Sequence, residues 1–136
     1  IAWSATNRSP LIRIPAAGGD GTRVELRSPD PSANPYLTLA VCLAAGLDGI
    51  KRKAEPMESV DRNIFEMTAE EKEAAGIESL PQSLDEAINE FLKDKFVQDI
   101  LGEHISKKLI EAKKREWQEY REKVTNWELE EYLHKY

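Results

Sequence analysis

Thr22-Arg23-Val24-Glu25-Leu26-Arg27-Ser28-Pro29-Asp30-Pro31-Ser32-Ala33-Asn34-Pro35-Tyr36-Leu37 carries the end of a strand and the start of a helix. From Thr22 to Leu26, β-branched, apolar and charged residues alternate, which predicts a strand. A period of two puts Val24 and Leu26 on one face and Arg23, Glu25 and Arg27 on the other. Ser28-Pro29-Asp30-Pro31-Ser32 ends the strand, because proline has no N–H to give to a ladder. Asn34 then predicts a helix N-cap, with Pro35 at the first helical position. The helix is expected from Pro35 to about Leu47. Leu37, Leu39, Val41, Cys42, Leu43 and Leu47 surround it on most sides, so burial on most faces is expected, with Cys42 as a small core residue.

Upstream, Leu11-Ile12-Arg13-Ile14 is extended and stops at Pro15. Gly18-Gly19-Asp20-Gly21 belongs to a loop, so the two extended runs predict a β-hairpin. Downstream, Lys51 to Asn63 is polar, contains Pro56 and predicts a loop. Thr68-Ala69-Glu70-Glu71 opens a short helix ending near Gly76, and Ser83-Leu84-Asp85-Glu86 opens another through Phe91 or Leu92. Asp94 starts a third short helix that Gly102 stops after Leu101. A long helix is expected from Glu103 to about Lys123. Ile110, Trp117 and Val124 lie seven apart, as do Tyr120 and Trp127, forming one apolar seam. Glu111, Glu116, Glu119 and Glu122 interleave the basic run Lys107 to Arg115, which predicts a solvated face rather than a nucleic-acid surface. The aromatic tail, Trp127 to Tyr136, is short for a helix standing alone and predicts docking on another surface. The fold class expected is α+β: an N-terminal β-hairpin, then a mostly α-helical region.

With 136 residues, 40% hydrophobic and 32% charged, the chain has one domain's worth of material and a modest core. Nineteen basic groups against 25 acidic ones give −6, which argues against general binding to nucleic acid or an anionic membrane. One cysteine excludes an internal disulfide framework. No apolar run approaches the ~20 residues that cross a bilayer. A reducing, cytoplasmic setting is the default expectation. Ile1-Ala2-Trp3 does not read as a natural start, so a piece of a longer protein is expected. His104 and His134 are too isolated to form a metal pair.

The charge is unevenly spread. Residues 1–33 hold four arginines, no lysine and three carboxylates, a net +1. The remainder keeps 15 basic and 22 acidic groups, a net −7. Arginine presents a planar fork suited to carboxylate or phosphate. Two readings of the strand face stay open. One is a ladder of surface ion pairs worth little. The other is a polar active-site floor, with Glu25 offering oxygen to a hard divalent cation.

Asn7-Arg8-Ser9-Pro10-Leu11-Ile12-Arg13-Ile14-Pro15 and the stretch from Thr22 to Leu37 resemble the C-terminal part of the catalytic domain of bacterial type I glutamine synthetase. The likeness continues through Ala44 to Ile50, Val60-Asp61-Arg62-Asn63-Ile64-Phe65, Leu101-Gly102-Glu103-His104 and Val124-Thr125-Asn126-Trp127-Glu128. That family joins ammonia to L-glutamate using ATP and Mg2+ or Mn2+, by way of γ-glutamyl phosphate. The resemblance implies that residues 1–33 are an active-site hairpin within a larger antiparallel sheet and residues 34–136 a helical region. It implies Arg8 at the transferring phosphate, ATP and glutamate, Arg13 at the ATP phosphates, and Arg23 as a supporting active-site arginine. It also implies Glu25 as a metal ligand, Arg27 on the glutamate carboxylate, and Asp20-Gly21-Thr22 near the nucleotide. Relatives commonly carry an arginine or lysine in the loop that Gly18 to Gly21 occupy here. Phe65 stands where some relatives have a tyrosine that is adenylylated, so that control is not expected. The family's other metal ligands and N-terminal domain precede the matched part, so this stretch alone is expected to be inactive. A homo-oligomer, a dodecamer in the family, is implied, with C-terminal segments packing between rings and in some relatives touching a transcriptional repressor. The alternatives are a non-catalytic helical interaction module and a relative that ligates glutamate to another amine.

Overall fold

The computed structural model describes residues 1–135. Three two-residue strands are followed by six α-helices among these residues: β1 (Trp3–Ser4), β2 (Ile12–Arg13), β3 (Glu25–Leu26), α1 (Pro35–Arg52), α2 (Ala69–Ala74), α3 (Leu84–Lys93), α4 (Lys95–Leu101), α5 (Glu103–Arg121) and α6 (Asn126–Tyr132). The α+β class expected from the sequence is the one observed. The chain divides into two compact units, Ile1–Leu80 and the part from Pro81 onward.

In the first unit the hairpin forms as expected. β2 and β3 run antiparallel, with Ile12 opposite Leu26 and Arg13 opposite Glu25. The sheet has a third strand that alternation did not reveal. β1 pairs with β2 in parallel, Trp3 opposite Ile12 and Ser4 opposite Arg13. Two residues are too few to show a period of two, so this strand exists only through its partner. It is anchored by the amides of Ile12 and Ile14, which donate to the carbonyls of Ala2 and Ser4 at 3.2 and 3.0 Å. Ala2 and Ser4 are among the few buried residues of the unit.

Asn34 caps α1 as the sequence predicts: its Oδ1 accepts from the amides of Tyr36 and Leu37 at 3.0 and 3.3 Å. Two expectations for this helix fail. It runs to Arg52, about one turn beyond Leu47. Asp48 and Arg52 pair at 2.7 Å across one turn, and Lys51 and Arg52 oppose the negative end of the helix dipole. Lys53, in the left-handed conformation at φ 51°, closes it. Second, α1 has no buried residue. Tyr36, Leu39, Leu43, Leu47 and Ile50 are all exposed, and Cys42 is half-buried rather than in a core. The described residues bring nothing against that face.

The second unit is built by caps and a small helical core. Asp94 Oδ1 accepts from Val97 N at 3.0 Å and starts α4. Gly102, at φ 78°, ends α4 and begins α5, a conformation that L side chains resist. Helices α3, α4 and α5 pack on one another. Ile88 is buried there, and buried Ser106 donates to Gln98 O at 3.1 Å, tying α5 to α4. The basic run of α5 pairs within its own helix, Lys108 with Glu111 and Lys113 with Glu116, as a solvated face requires.

The apolar seam does not continue as one helix. Trp117 stacks on Tyr120 with ring centres 5.7 Å apart, but α5 ends at Arg121 and Val124 is exposed. Thr125 then caps a separate helix. Its Oγ accepts from Glu128 N while Glu128 accepts from Thr125 N, a reciprocal pair that outcompetes helical continuation. Trp127 meets Tyr132 edge to face within α6. Of the tail expected to dock, Tyr136 lies outside the described residues.

Candidate functional site

The β2–β3 register puts Arg13 and Glu25 directly opposite each other. Arg13 Nη1 donates to Glu25 Oε2 at 3.0 Å. Arg23, two residues before Glu25 and just upstream of β3, donates through Nε to Oε1 at 2.9 Å. Arg23 Nη2 lies 2.7 Å from the same oxygen. One carboxylate therefore sits between two guanidinium groups, and the cluster keeps one unit of positive charge. Hydrogen bonds from Arg13 and then Arg23 hold the Glu25 carboxyl below its ordinary 4.5. The Nε–H of Arg13 is buried and has no acceptor among the described residues. An orphaned buried donor is costly, so this position calls for an acceptor.

The remaining candidates are placed around this cluster. Asp20 and Gly21 form a 3-10 turn with Gly19, which Thr22 closes by donating its amide to Gly19 O at 3.1 Å. Gly21 O accepts from Arg23 Nη1 at 3.1 Å, so the turn is tied to the cluster. Asp20 is exposed. Arg27 continues β3; its amide donates to Leu11 O at 2.8 Å and its Nη1 to Pro10 O at 3.4 Å. That acceptor is neutral, and Arg27 forms no ion pair among the described residues. Arg8 lies on the loop between β1 and β2. It is exposed and makes no hydrogen bond or ion pair among the described residues.

The geometry thus joins Arg13, Arg23 and Glu25 by direct contact, links the Gly19–Gly21 turn to them through Arg23, and leaves Arg8 and Arg27 as separate cations. Such a cluster suits an anion. A divalent ion is a different matter, since it takes six or more oxygen ligands. Among the described residues no group of three His, Cys, Asp or Glu side chains could hold one. Both oxygens of Glu25 already accept from arginine. The residues present do not by themselves fit a metal; Glu25 can supply one ligand group only.

Alternation and composition missed what supports the Arg8 loop. Ser4, Asn7 and Asp61 form a hydrogen-bonded web beneath it. The segment holding Asp61 reads as a polar loop, and its partners lie more than fifty positions away, where periodicity carries no signal.

Comparison with known proteins adds a decisive observation. The family model for "Glutamine synthetase, catalytic domain" matches residues 1–132. The chain belongs to the glutamine synthetase family. Relatives are archaeal as well as bacterial. The chain is 56% identical to the glutamine synthetase of Thermotoga maritima over 134 residues, 98% of this chain and 30% of that protein. It is 54% identical to that of Methanosarcina mazei over 133 residues, again 98% of this chain and 30% of that protein. A solved structure described as "Apo GmaS without ligand" superposes with a TM-score of 0.77 at 34% identity, over 98% of this chain and 30% of that one. The chain therefore spans about a third of the length of the glutamine synthetases it matches. No helix among the described residues is long and apolar enough to cross a membrane.

Proposed function

We propose that this chain is the C-terminal portion of the catalytic domain of a type I glutamine synthetase, with residues 1–33 supplying an active-site hairpin and residues 34–136 a helical region. The full-length protein would ligate ammonia to L-glutamate at the expense of ATP, through γ-glutamyl phosphate. The observation that carries this reading is the Arg13–Glu25–Arg23 cluster, within a stretch matched end to end by the family's catalytic domain.

Phosphoryl transfer spreads negative charge over the migrating group, and catalysis rests on positioning and electrostatic stabilisation. Arginines fit that role because they stay charged and donate in a plane. In this proposal Arg8 contacts the transferring phosphate, ATP and glutamate, and Arg23 supports it. Arg13 faces the ATP phosphates with its permanently charged guanidinium. Arg27 clamps the glutamate carboxylate. The turn Asp20-Gly21-Thr22 borders the nucleotide. Glu25 contributes one ligand group to a Mg2+ or Mn2+ site whose other ligands come from outside this chain. When bound, the ion would neutralise phosphate charge.

Because no group of three His, Cys, Asp or Glu side chains among the described residues could hold the ion, the piece alone is proposed to be inactive. A homo-oligomeric assembly fits the exposed apolar face of α1. The test is phosphate release by the full-length protein. It is expected only with ATP, glutamate and ammonia together. Oligomers without turnover would favour an interaction module, and turnover only with another amine would favour a different branch of the family.

A further inference from the structure

We infer that Asp61 and Asn7 are positioning residues for Arg8. This rests on the proposed role of Arg8 and goes beyond it, since both residues act through the loop that carries the arginine. Ser4, fully buried at the end of β1, is the hub. Its Oγ donates to Asp61 Oδ1 at 2.5 Å and accepts from the amides of Thr6 and Asn7 at 3.1 and 2.9 Å. Thr6 Oγ1 and Ser59 Oγ each donate to the same Asp61 oxygen at 3.1 Å.

Asn7 makes a second set of ties. Its Nδ2 donates to Ser9 Oγ at 2.8 Å, to Val60 O at 3.4 Å and to Arg62 O. Its Oδ1 accepts from Ser9 N at 3.0 Å, and Ser9 Oγ accepts from Ile64 N at 3.1 Å. Val60 N also donates to Trp3 O at 2.9 Å.

The segment from Ser59 to Ile64 thus grips the loop on both sides of Arg8, while the Arg8 side chain itself is left uncommitted. Among the described residues Asp61 is held by neutral donors: three hydroxyls converge on its Oδ1. A carboxylate satisfied by neutral donors can hold a loop without drawing in a nearby guanidinium. Those hydroxyls, Ser4 first, keep the Asp61 carboxyl below its ordinary 3.8. A pre-organised arginine matters because misplacement by an ångström costs ~100-fold in rate.

The experiment uses the full-length enzyme. Asp61→Ala is expected to lower kcat/KM by about 10- to 100-fold. Asp61→Asn, which keeps an acceptor oxygen, should restore most of it. In an Arg8→Ala background, Asp61→Ala should cost less than about twofold, because its effect runs through the arginine. Equal losses in both backgrounds would mark Asp61 as merely structural and overturn the inference. Hydrogen exchange over residues 4–10 provides a readout independent of turnover. Protection of the Thr6 and Asn7 amides should fall in Asp61→Ala, and unchanged protection overturns the inference. If Asp61→Ala does not fold, Asn7→Ala takes its place in the same cycle; it spares the buried Ser4 hub, so exchange is then read at the Ser9 amide, which donates to Asn7 Oδ1, and unchanged protection there overturns the inference. An inactive wild type would refute the proposed function, and exchange alone would then decide whether Asp61 and Asn7 hold the loop.

Discussion

Arg13 and Glu25 stand opposite each other across β2 and β3, and Arg13 Nη1 reaches Glu25 Oε2 at 3.0 Å. Arg23, just before β3, takes the other oxygen. Glu25 is therefore held from two directions before any ligand arrives. That placement follows from strand register, because a slip of one residue would turn Glu25 to the opposite face.

Glu25→Gln keeps the shape and one acceptor oxygen but removes the charge. If Glu25 holds the metal as proposed, turnover of the full-length protein should fall by about 100-fold, through weaker metal affinity. Steady-state phosphate release at several metal concentrations checks this. Wild-type turnover at every concentration would leave Glu25 as a structural ion-pair partner.

The titration of Glu25 has a definite sign. Its folded pKa is lowered below 4.5 by Arg13 and Arg23. The stabilisation linked to its charge is complete above 4.5 and is lost as pH falls through the lowered value. The side-chain carboxyl carbon shift in NMR should show a midpoint below 4.5, and Arg13→Gln should move that midpoint upward. A midpoint at or above 4.5 in the unmutated chain would contradict the pairing.

Ser83 Oγ accepts from Glu86 N at 3.1 Å and caps α3. Ser83→Ala should destabilise the first turn by about 1 kcal/mol, which accelerates amide exchange there ~5-fold. Exchange in the middle of α5 should stay unchanged. Unaltered exchange at the start of α3 would show that the cap contributes nothing.

Tyr36, Leu39, Leu43, Leu47 and Ile50 follow one another at helical spacing on α1, and all are exposed. An apolar stripe of this length marks an interaction surface. The isolated 136-residue chain is expected to self-associate in sedimentation velocity. Leu39→Lys with Leu43→Glu should shift it toward monomer without loss of helical circular dichroism. A stable monomer of the unsubstituted chain would refute this use of the stripe.

Local chemistry made much of the fold legible. Asn34-Pro35, Thr68-Ala69-Glu70-Glu71, Ser83 and Asp94 each announce a helix start, because a side-chain oxygen two or three residues before an unpaired amide satisfies it wherever the chain goes next. Gly102 announces a stop for an equally local reason. The same locality explains the errors. The helix expected to end near Leu47 instead continues to Arg52, where the Asp48–Arg52 pair and the basic last turn support it. The seven-residue spacing from Ile110 to Val124 suggested one long seam, but the Thr125–Glu128 capping box starts a new helix instead.

From its sequence alone this protein revealed its class, most of its helix starts, and the closeness of Arg23 to Glu25, since these depend on residues a few positions apart; the strand expected from Thr22 forms only at Glu25–Leu26. Tertiary structure decided the partners of those residues. Arg13 comes to Glu25 from twelve positions away, β1 exists only against β2, and Asp61 reaches Ser4 across fifty-seven positions. Such contacts form when distant backbone segments are brought into register, and no local propensity encodes which hydroxyl will find which carboxylate.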